Sequence, residues 1–217
     1  SDVYKRQYLY IMEDKRHIEV IIKNTYEVIK QVYTKQQERN GNKHKENAGS
    51  RIIFPSYNDD KKRTRVSEQE LRFIFVEQFN LYCQKEGWDA FYSVETPTKL
   101  KKYRFEKGKD PKLRDDGRSA SHDLVIHNKE FKRIALIEFK ANNPNERAYR
   151  KDLFKLEKEP EKMSNHILCY FLQIVETSYE NTKKSIKKKC EGWKDEKTIQ
   201  LCYDLSKGKY IINDLNL

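Results

Sequence analysis

The sequence has few of the features that mark secreted, metal-stabilised or membrane-spanning proteins. Four cysteines occur in 217 residues, and no two of them have a CxxC spacing, so the sequence supports neither a disulfide framework nor a zinc site. No apolar run approaches the roughly 18 residues that a membrane span requires, and no secretion signal is recognisable. We therefore expect a cytoplasmic protein, in a reducing compartment, with no membrane partner.

Basic residues are abundant. Lysine and arginine number 45 against 34 aspartates and glutamates, which gives a formal net charge of +11. This surplus suits a polyanionic partner such as nucleic acid better than a neutral metabolite, although charge that serves solubility alone is the other interpretation.

The hydrophobic share of 36% in 217 residues suffices for one good core, so we expect one principal domain.

The N-terminal region predicts one long helix. Residues 2–7, DVYKRQ, look like a translated sequencing adapter, so we assign residues 1–11 to an adapter-like artefact and lead-in, outside the fold prediction. From Glu13 to about Gln37, apolar residues recur at helical spacing with Lys and Glu opposite them. We assign residues 12–39 to this amphipathic helix.

Three interpretations of this helix stay open, and a linker follows it. Packing on the main domain is the default, and the alternatives are a homodimer formed through the helix and a remnant of an upstream domain.

Residues 40–66 contain Gly41, Gly49, Pro55 and a basic cluster, with little periodicity. We predict a basic linker, in which Arg51–Phe54 either adds a short strand or belongs to a basic loop.

The main domain, residues 67–217, is organised around a predicted β-hairpin. Two segments rich in β-branched and aliphatic residues, Asp123–Ile126 and Ile134–Phe139, flank a polar connector. If the connector is symmetric about its middle, Asp123 lies directly across from Glu138.

These two carboxylates predict a cation site. Opposed positions in an antiparallel pair have Cβ atoms roughly 5 Å apart, and two carboxylates held there repel unless a cation lies between them. Asp and Glu oxygens suit Mg²⁺, for which Mn²⁺ can substitute, because these hard ions accept few protein ligands and keep waters. Since side chains alternate along a strand, Glu138 and Lys140 share a face, and Lys140 would point at the same water.

The Asp, the strand-borne Glu-x-Lys and an acidic helix upstream resemble the PD-(D/E)xK nuclease superfamily, over roughly Ser67 to Thr177. The resemblance implies an α/β fold with a central mixed β-sheet flanked by helices, the restriction-endonuclease-like αβββαβ core. The sequence predicts that element order, helix, three strands, helix and strand. His122 stands where the family has a proline before its aspartate.

The predicted elements around the hairpin follow from periodicity and from helix-capping residues. They are a helix at Ser67–Glu86 ending at Gly87, a strand at Ala90–Glu95, a helix from Asn143 and Pro144 to about Glu157, a strand at His166–Val175, a helix at Tyr179–Cys190, and a hairpin of Thr198–Tyr203 and Tyr210–Ile212.

The resemblance implies a metal-dependent nuclease that hydrolyses phosphodiester bonds of nucleic acid, with DNA favoured. In that assignment Asp123 and Glu138 hold Mg²⁺, Lys140 orients or helps to deprotonate the attacking water, and Glu70 and the Phe139 carbonyl are further ligands. The alternatives are a catalytically inactive nuclease-fold protein that only binds nucleic acid, and a basic protein-interaction module.

The acidic residue on the helix has competing assignments. Glu70 completes a capping box with Ser67, which is the common structural reason for a glutamate at that position. We favour it as the helix-borne ligand over Glu77, expect Glu68 to be solvated, and hold Glu95 in reserve.

Basic side chains interleaved with aromatics predict phosphate contacts in the loop 98–118 and on the helix that follows the hairpin. A solvated loop is the competing interpretation, and Asp152 on that helix stays outside the predicted site. The candidate phosphate contacts are Lys99, Lys101, Lys102, Arg104, Arg118, Lys151 and Lys155.

Overall fold

The computed structural model describes residues 2–39, 49–55, 64–163, 167–192 and 196–217. These residues form an α/β fold in which helices cover a mixed sheet. The elements in chain order are α1 (Asp2–Arg39), α2 (Glu68–Glu86), β1 (Phe91–Pro97), β2 (Tyr103–Arg104), β3 (Lys112–Leu113), β4 (Ser121–His127), β5 (Arg133–Ala141), α3 (Glu146–Met163), β6 (Leu168–Val175), α4 (Glu180–Glu191), β7 (Thr198–Asp204) and β8 (Lys209–Asn213).

The main sheet has six strands in the order β1-β4-β5-β6-β7-β8. β1, β4 and β5 are antiparallel neighbours, β5, β6 and β7 are parallel, and β8 returns antiparallel to β7. β4 and β5 pair with Leu124 opposite Ile137 and Val125 opposite Leu136. This is the register that the symmetric connector requires, so the hairpin prediction is confirmed.

Each face of the sheet buries its own apolar cluster. Leu124 and Ile137 pack with α1 and α2 on one face, whereas Val125 and Leu136 pack with α3 and α4 on the other. From Leu124 to Ile126 and from Ala135 to Ile137, the two strands thus have an apolar residue at every position, as expected for a sheet that is covered on both sides.

Helix α1 is longer than predicted and joins the core. It begins at Asp2 rather than near Glu13, and neither Gly nor Pro interrupts the sequence from Asp2 to Arg39. Ile18, Ile21 and Ile22 are fully buried in the cluster that contains α2. Packing on the main domain, the default interpretation, is therefore confirmed.

Helix α2 has the predicted ends. Ser67 is its N-cap, and Gly87 adopts φ 67°, a left-handed conformation that glycine enters without steric cost, with its amide donating to the Cys83 carbonyl at 2.9 Å. Leu71 and Ile74 are fully buried and face the sheet.

Helix α3 differs from the prediction at both ends. It begins at Glu146, because the Asn145 side chain, rather than Asn143, caps it by accepting from the Ala148 amide at 3.1 Å. It continues past the predicted end near Glu157, to Met163.

The basic loop 98–118 is held against α3. Glu159 is fully buried and accepts hydrogen bonds from the amides of Lys99 and Leu100 at 2.8 and 2.9 Å and from the Tyr103 hydroxyl at 3.1 Å. A Cβ at Gly117 would lie 2.2 Å from the Lys102 carbonyl carbon, so only glycine fits where the loop closes on itself. The sequence analysis predicted a basic loop here but neither its anchoring by Glu159 nor the small β2-β3 sheet.

The described part of the predicted linker is irregular. Residues 51–55 contain no strand, although Phe54 is fully buried and its amide donates to Gln36 at 2.8 Å. The basic cluster Lys61–Arg63 lies outside the described residues. Among the helices that the structure describes, none is long and apolar enough to cross a membrane.

Candidate active site

Strands β4 and β5 stop pairing before they end. Their last paired residues at this end are Leu124 and Ile137, and the next positions are Asp123 and Glu138. The Asp123 carboxylate, rather than a backbone carbonyl, accepts the Phe139 amide at 2.7 Å. A side chain thus stands between the two strands where the ladder would have continued, and polar groups from neighbouring elements gather there.

Glu138 is the buried centre of this group. It has no exposed surface, and its Oε1 lies 2.8 Å from the Lys155 ammonium and 2.7 Å from His122 Nδ1. Its Oε2 has no hydrogen-bond partner among the described residues. Burial raises the pKa of Glu138 to about 8, even though Lys155 opposes the shift.

Lys155 and Lys140 link three carboxylates into a chain of alternating charge. Lys155 lies 3.0 Å from Asp152, and Lys140 lies 2.5 Å from the other oxygen of Asp152 and 3.8 Å from Glu68. Burial opposes the charge on Asp152, but the two ammonium groups outweigh it and hold its pKa below the usual value. Burial likewise opposes the charge on Lys140, yet Asp152 raises its pKa above the usual value.

The cluster carries more carboxyl groups than ammonium groups. Burial, with a further contribution from Glu138, raises the pKa of Asp123 to about 6. Burial and the neighbouring Lys155 lower the pKa of His122 to about 3, so its imidazole is neutral at physiological pH. The carboxyl groups are Asp123, Glu138, Asp152 and Glu68, and the ammonium groups are Lys140 and Lys155.

The helix-borne acidic residue beside Lys140 is Glu68, which the sequence placed in solvent. Glu70, the favoured ligand, is buried, and its Oε2 accepts from the Ser67 amide at 2.8 Å and from the Ser67 hydroxyl at 2.5 Å. The capping box thus engages one oxygen of the Glu70 carboxylate, whereas the Glu68 carboxylate lies 3.8 Å from Lys140. Glu95, held in reserve, pairs with Arg72 at 2.7 Å.

Asp152 and Lys155 are further corrections. Asp152 was left outside the predicted site, and Lys155 was grouped with solvent-facing phosphate contacts, but both are buried in the cluster. They stand at i and i+3 on α3, in the same stripe as the buried Tyr149, Leu153 and Leu156. That stripe was visible in the sequence and could have identified them.

The other predicted phosphate contacts lie on the loop 98–118 and on α3. Lys99, Lys101 and Arg118 are exposed, whereas Lys102 pairs with Asp115 at 2.6 Å. The Lys151 ammonium lies 4.9 Å from the centre of the Phe105 ring, which ties the loop to α3. The loop thus presents basic side chains from an anchored backbone; Arg104 is half-buried.

Few hard oxygen donors lie where β4 and β5 separate. Within the described ranges, no group of three or more His, Cys, Asp or Glu side chains is arranged to hold a metal ion. Mg²⁺, however, needs only one or two carboxylates and keeps several waters. Asp123 and the partnerless Oε2 of Glu138 are such hard oxygen donors. The Phe139 carbonyl, which accepts from the Lys140 ammonium at 3.3 Å, is a third oxygen at this end of β5.

Comparisons with known proteins add no assignment: no family model, no curated protein and no solved structure matches this chain.

Proposed function

We propose that this protein is a metal-dependent nuclease that hydrolyses phosphodiester bonds of nucleic acid, with DNA the favoured substrate. The observation that carries the proposal is the position of Asp123, Glu138 and Lys140 together at the point where β4 and β5 separate. The order α2, β1, β4, β5, α3, β6 supports a restriction-endonuclease-like αβββαβ core, with β2 and β3 inserted in the loop before β4.

Asp123 and Glu138, with the Phe139 carbonyl, would hold Mg²⁺ or Mn²⁺. When bound, the ion supplies Lewis acidity toward the phosphate and lowers the pKa of a coordinated water. Glu138 contributes through Oε2, because its other oxygen is bonded to Lys155 and His122. The neutral His122 therefore has a positioning role: it orients the carboxylate without adding a charge.

Lys140 supplies a positive charge at the scissile phosphate and orients the attacking water. Its ammonium is held by Asp152 at 2.5 Å and lies 3.8 Å from Glu68, so its position is defined before substrate binds. Asp152 keeps the Lys140 ammonium protonated, because it raises the lysine pKa. We assign Lys140 to charge stabilisation and water orientation, and deprotonation by Lys140 would first require its contact with Asp152 to loosen.

Substrate binding and cation binding are coupled by charge. Four carboxyl groups against two ammonium groups repel a phosphodiester unless a cation or protons offset the excess. The basic side chains of the loop 98–118 supply attraction for the rest of the strand, since the loop is anchored through Glu159.

One observation favours a second function, nucleic-acid binding without cleavage. Lys155 lies 2.8 Å from Glu138 and 3.0 Å from Asp152, so a cation of the chain already offsets the buried carboxylates. A site neutralised in this way could bind a nucleic-acid backbone with no metal. The partnerless Oε2 of Glu138 and the raised pKa of Asp123 favour the nuclease, because both indicate a demand for further positive charge.

The test is an incubation of the protein with single- and double-stranded DNA and RNA, each with Mg²⁺, Mn²⁺ or chelator. Fragments that form only with a divalent ion are the expected result, and the cleaved substrate identifies the class. Metal-independent binding with no fragments on any substrate would replace the nuclease with the binding protein.

A further inference from the structure

A second basic site lies on the same face of the sheet as the candidate active site. A cavity of about 270 Å³ is bordered by the side of α4, the end of β7 and the start of β8. Its charged lining residues are Lys183, Lys187, Lys207, Lys209, Glu180 and Asp204.

The two acidic residues of this cavity are already engaged. Glu180 lies 2.8 Å from Lys183, and Asp204, which is buried, accepts from the Ser178 amide and hydroxyl and from the Lys207 amide. Glu180 thus offsets Lys183, and Asp204 keeps its own negative charge, so four ammonium groups face two carboxylates and the lining stays net positive.

Lys187 and Lys209 leave the cavity positively charged. Both are exposed, and across the described ranges no carboxylate lies within pairing distance of either ammonium. The cavity is large enough for a phosphate group and several waters, since one water occupies about 30 Å³. An anion is the ligand that this lining selects.

The topology aligns the cavity with the candidate active site. β5, β6 and β7 are parallel, so their C-terminal ends lie at the same end of the sheet. Lys140, near the end of β5, and Asp204, at the end of β7, are both there. Lys209 lies opposite Asp204 in the backbone register of β7 and β8, so it is at the same end of the sheet. The α4 residue Ile186 and the β5 residue Leu136 share one apolar cluster, so both sites are on one face.

The separation fits a nucleic-acid strand. From β5 to β8 is three strand spacings, roughly 15 Å, and a helical strand rises about 3.4 Å per phosphate. We propose that the cavity at Lys187 and Lys209 binds a backbone phosphate a few nucleotides from the bond positioned at Lys140. The inference rests on the proposed function for the identity of the anion, and it requires neither cleavage nor metal.

The test uses two double variants that remove equal charge. Lys187→Ala/Lys209→Ala changes the cavity, whereas Lys184→Ala/Lys188→Ala removes two exposed lysines of α4 that do not line it. Affinity for short labelled single-stranded and duplex oligonucleotides is measured by fluorescence anisotropy in chelator, over a range of salt concentrations. We expect the cavity variant to bind about tenfold more weakly, with a salt slope smaller by about two, and the control to change less than twofold.

An equal loss of oligonucleotide affinity in the two variants would overturn the inference, because it would show that Lys187 and Lys209 act only through the general positive charge of the surface. Inorganic phosphate bound by the cavity, with no difference in oligonucleotide affinity between variants, would also overturn it and indicate a small phosphorylated ligand. The binding assay contains chelator, so its result does not depend on whether the protein cleaves nucleic acid. If only the cavity variant binds more weakly and no cleavage follows when metal is added, the phosphate site stands and the proposed reaction is rejected.

Discussion

The ammonium of Lys155 lies 2.8 Å from the carboxylate of Glu138, and both side chains are buried. A buried carboxylate is costly unless a cation accompanies it. In the proposed nuclease, Lys155 and the bound metal ion together compensate the negative charge of Glu138. Removing either cation should therefore change the stability of the folded protein.

Lys155→Met should destabilise the protein strongly in chelator. The substitution leaves Glu138 and Asp152 with one fewer cation, and loss of one partner of a buried pair costs about 3–5 kcal/mol. Mg²⁺ should restore part of this loss, because a ligand that binds only the folded state adds to its stability. Urea denaturation with and without Mg²⁺ measures both effects, and Lys158→Met, at an α3 lysine that pairs with Glu157, is the control. Equal midpoints for wild type and Lys155→Met would contradict this account.

Stability in chelator should fall as the pH rises from about 6.5 to 8. Burial raises the pKa of Glu138 from 4.5 to about 8, so between these values the folded protein holds a proton that the unfolded chain has released. Rising pH then favours unfolding. His122 adds the opposite trend only below its ordinary pKa of 6.5, since burial lowers that pKa to about 3. Unfolding free energies across this range should decline for wild type and stay flatter for Glu138→Gln, and a rise with pH in wild type would reject the assignment.

Substitution of Glu68 should lower the cleavage rate, whereas substitution of Glu70 should lower the stability of the fold. Glu68→Gln changes the surroundings of Lys140, so we expect lower cleavage with little loss of stability. Glu70→Gln weakens the cap on Ser67 and should cost about 0.5–2 kcal/mol with cleavage retained. Cleavage rates and thermal melts of both variants decide the matter. The reverse pattern would restore Glu70 as the functional acid.

Glu159→Gln should loosen the basic loop 98–118. Its carboxylate accepts two backbone amides and the Tyr103 hydroxyl, and weakening a buried group of this kind costs about 1–3 kcal/mol. Trypsin should cleave the loop faster in this variant than in Glu157→Gln, which changes a glutamate of the same helix that pairs with Lys158. Identical cleavage rates in the two variants would mean that other contacts hold the loop.

Much of the sheet was predictable because its signals are local. The symmetric connector between two apolar segments predicted the register that places Asp123 across from Glu138, and Ser67 and Gly87 marked the ends of α2. A short sequence window contains the whole physical cause in each case.

The contacts that sequence reasoning missed at the site lie where two distant elements meet. Sequence reasoning could weigh Glu70 as a ligand or as a cap, but only the packed structure brings Glu68 to Lys140. Asp152 and Lys155 join the cluster because α3 packs against β5, and although the stripe on α3 predicts that they face inward, the sequence does not show that they meet Lys140 and Glu138. The apolar residues around Asp152 and Lys155 predict that this face of α3 is buried, whereas the charge of the two residues suggests that they are exposed to solvent.

The most direct test compares single-turnover cleavage by wild type, Lys140→Ala and Lys132→Ala, on the substrate that wild type cuts, with Mg²⁺ and with chelator. Lys132 lies in the exposed β4-β5 connector and is the control for loss of one positive charge. The account predicts metal-dependent cleavage by wild type and Lys132→Ala, a loss of about 10²-fold or more in Lys140→Ala, and similar nucleic-acid affinity in all three. Cleavage by Lys140→Ala at the wild-type rate would contradict it.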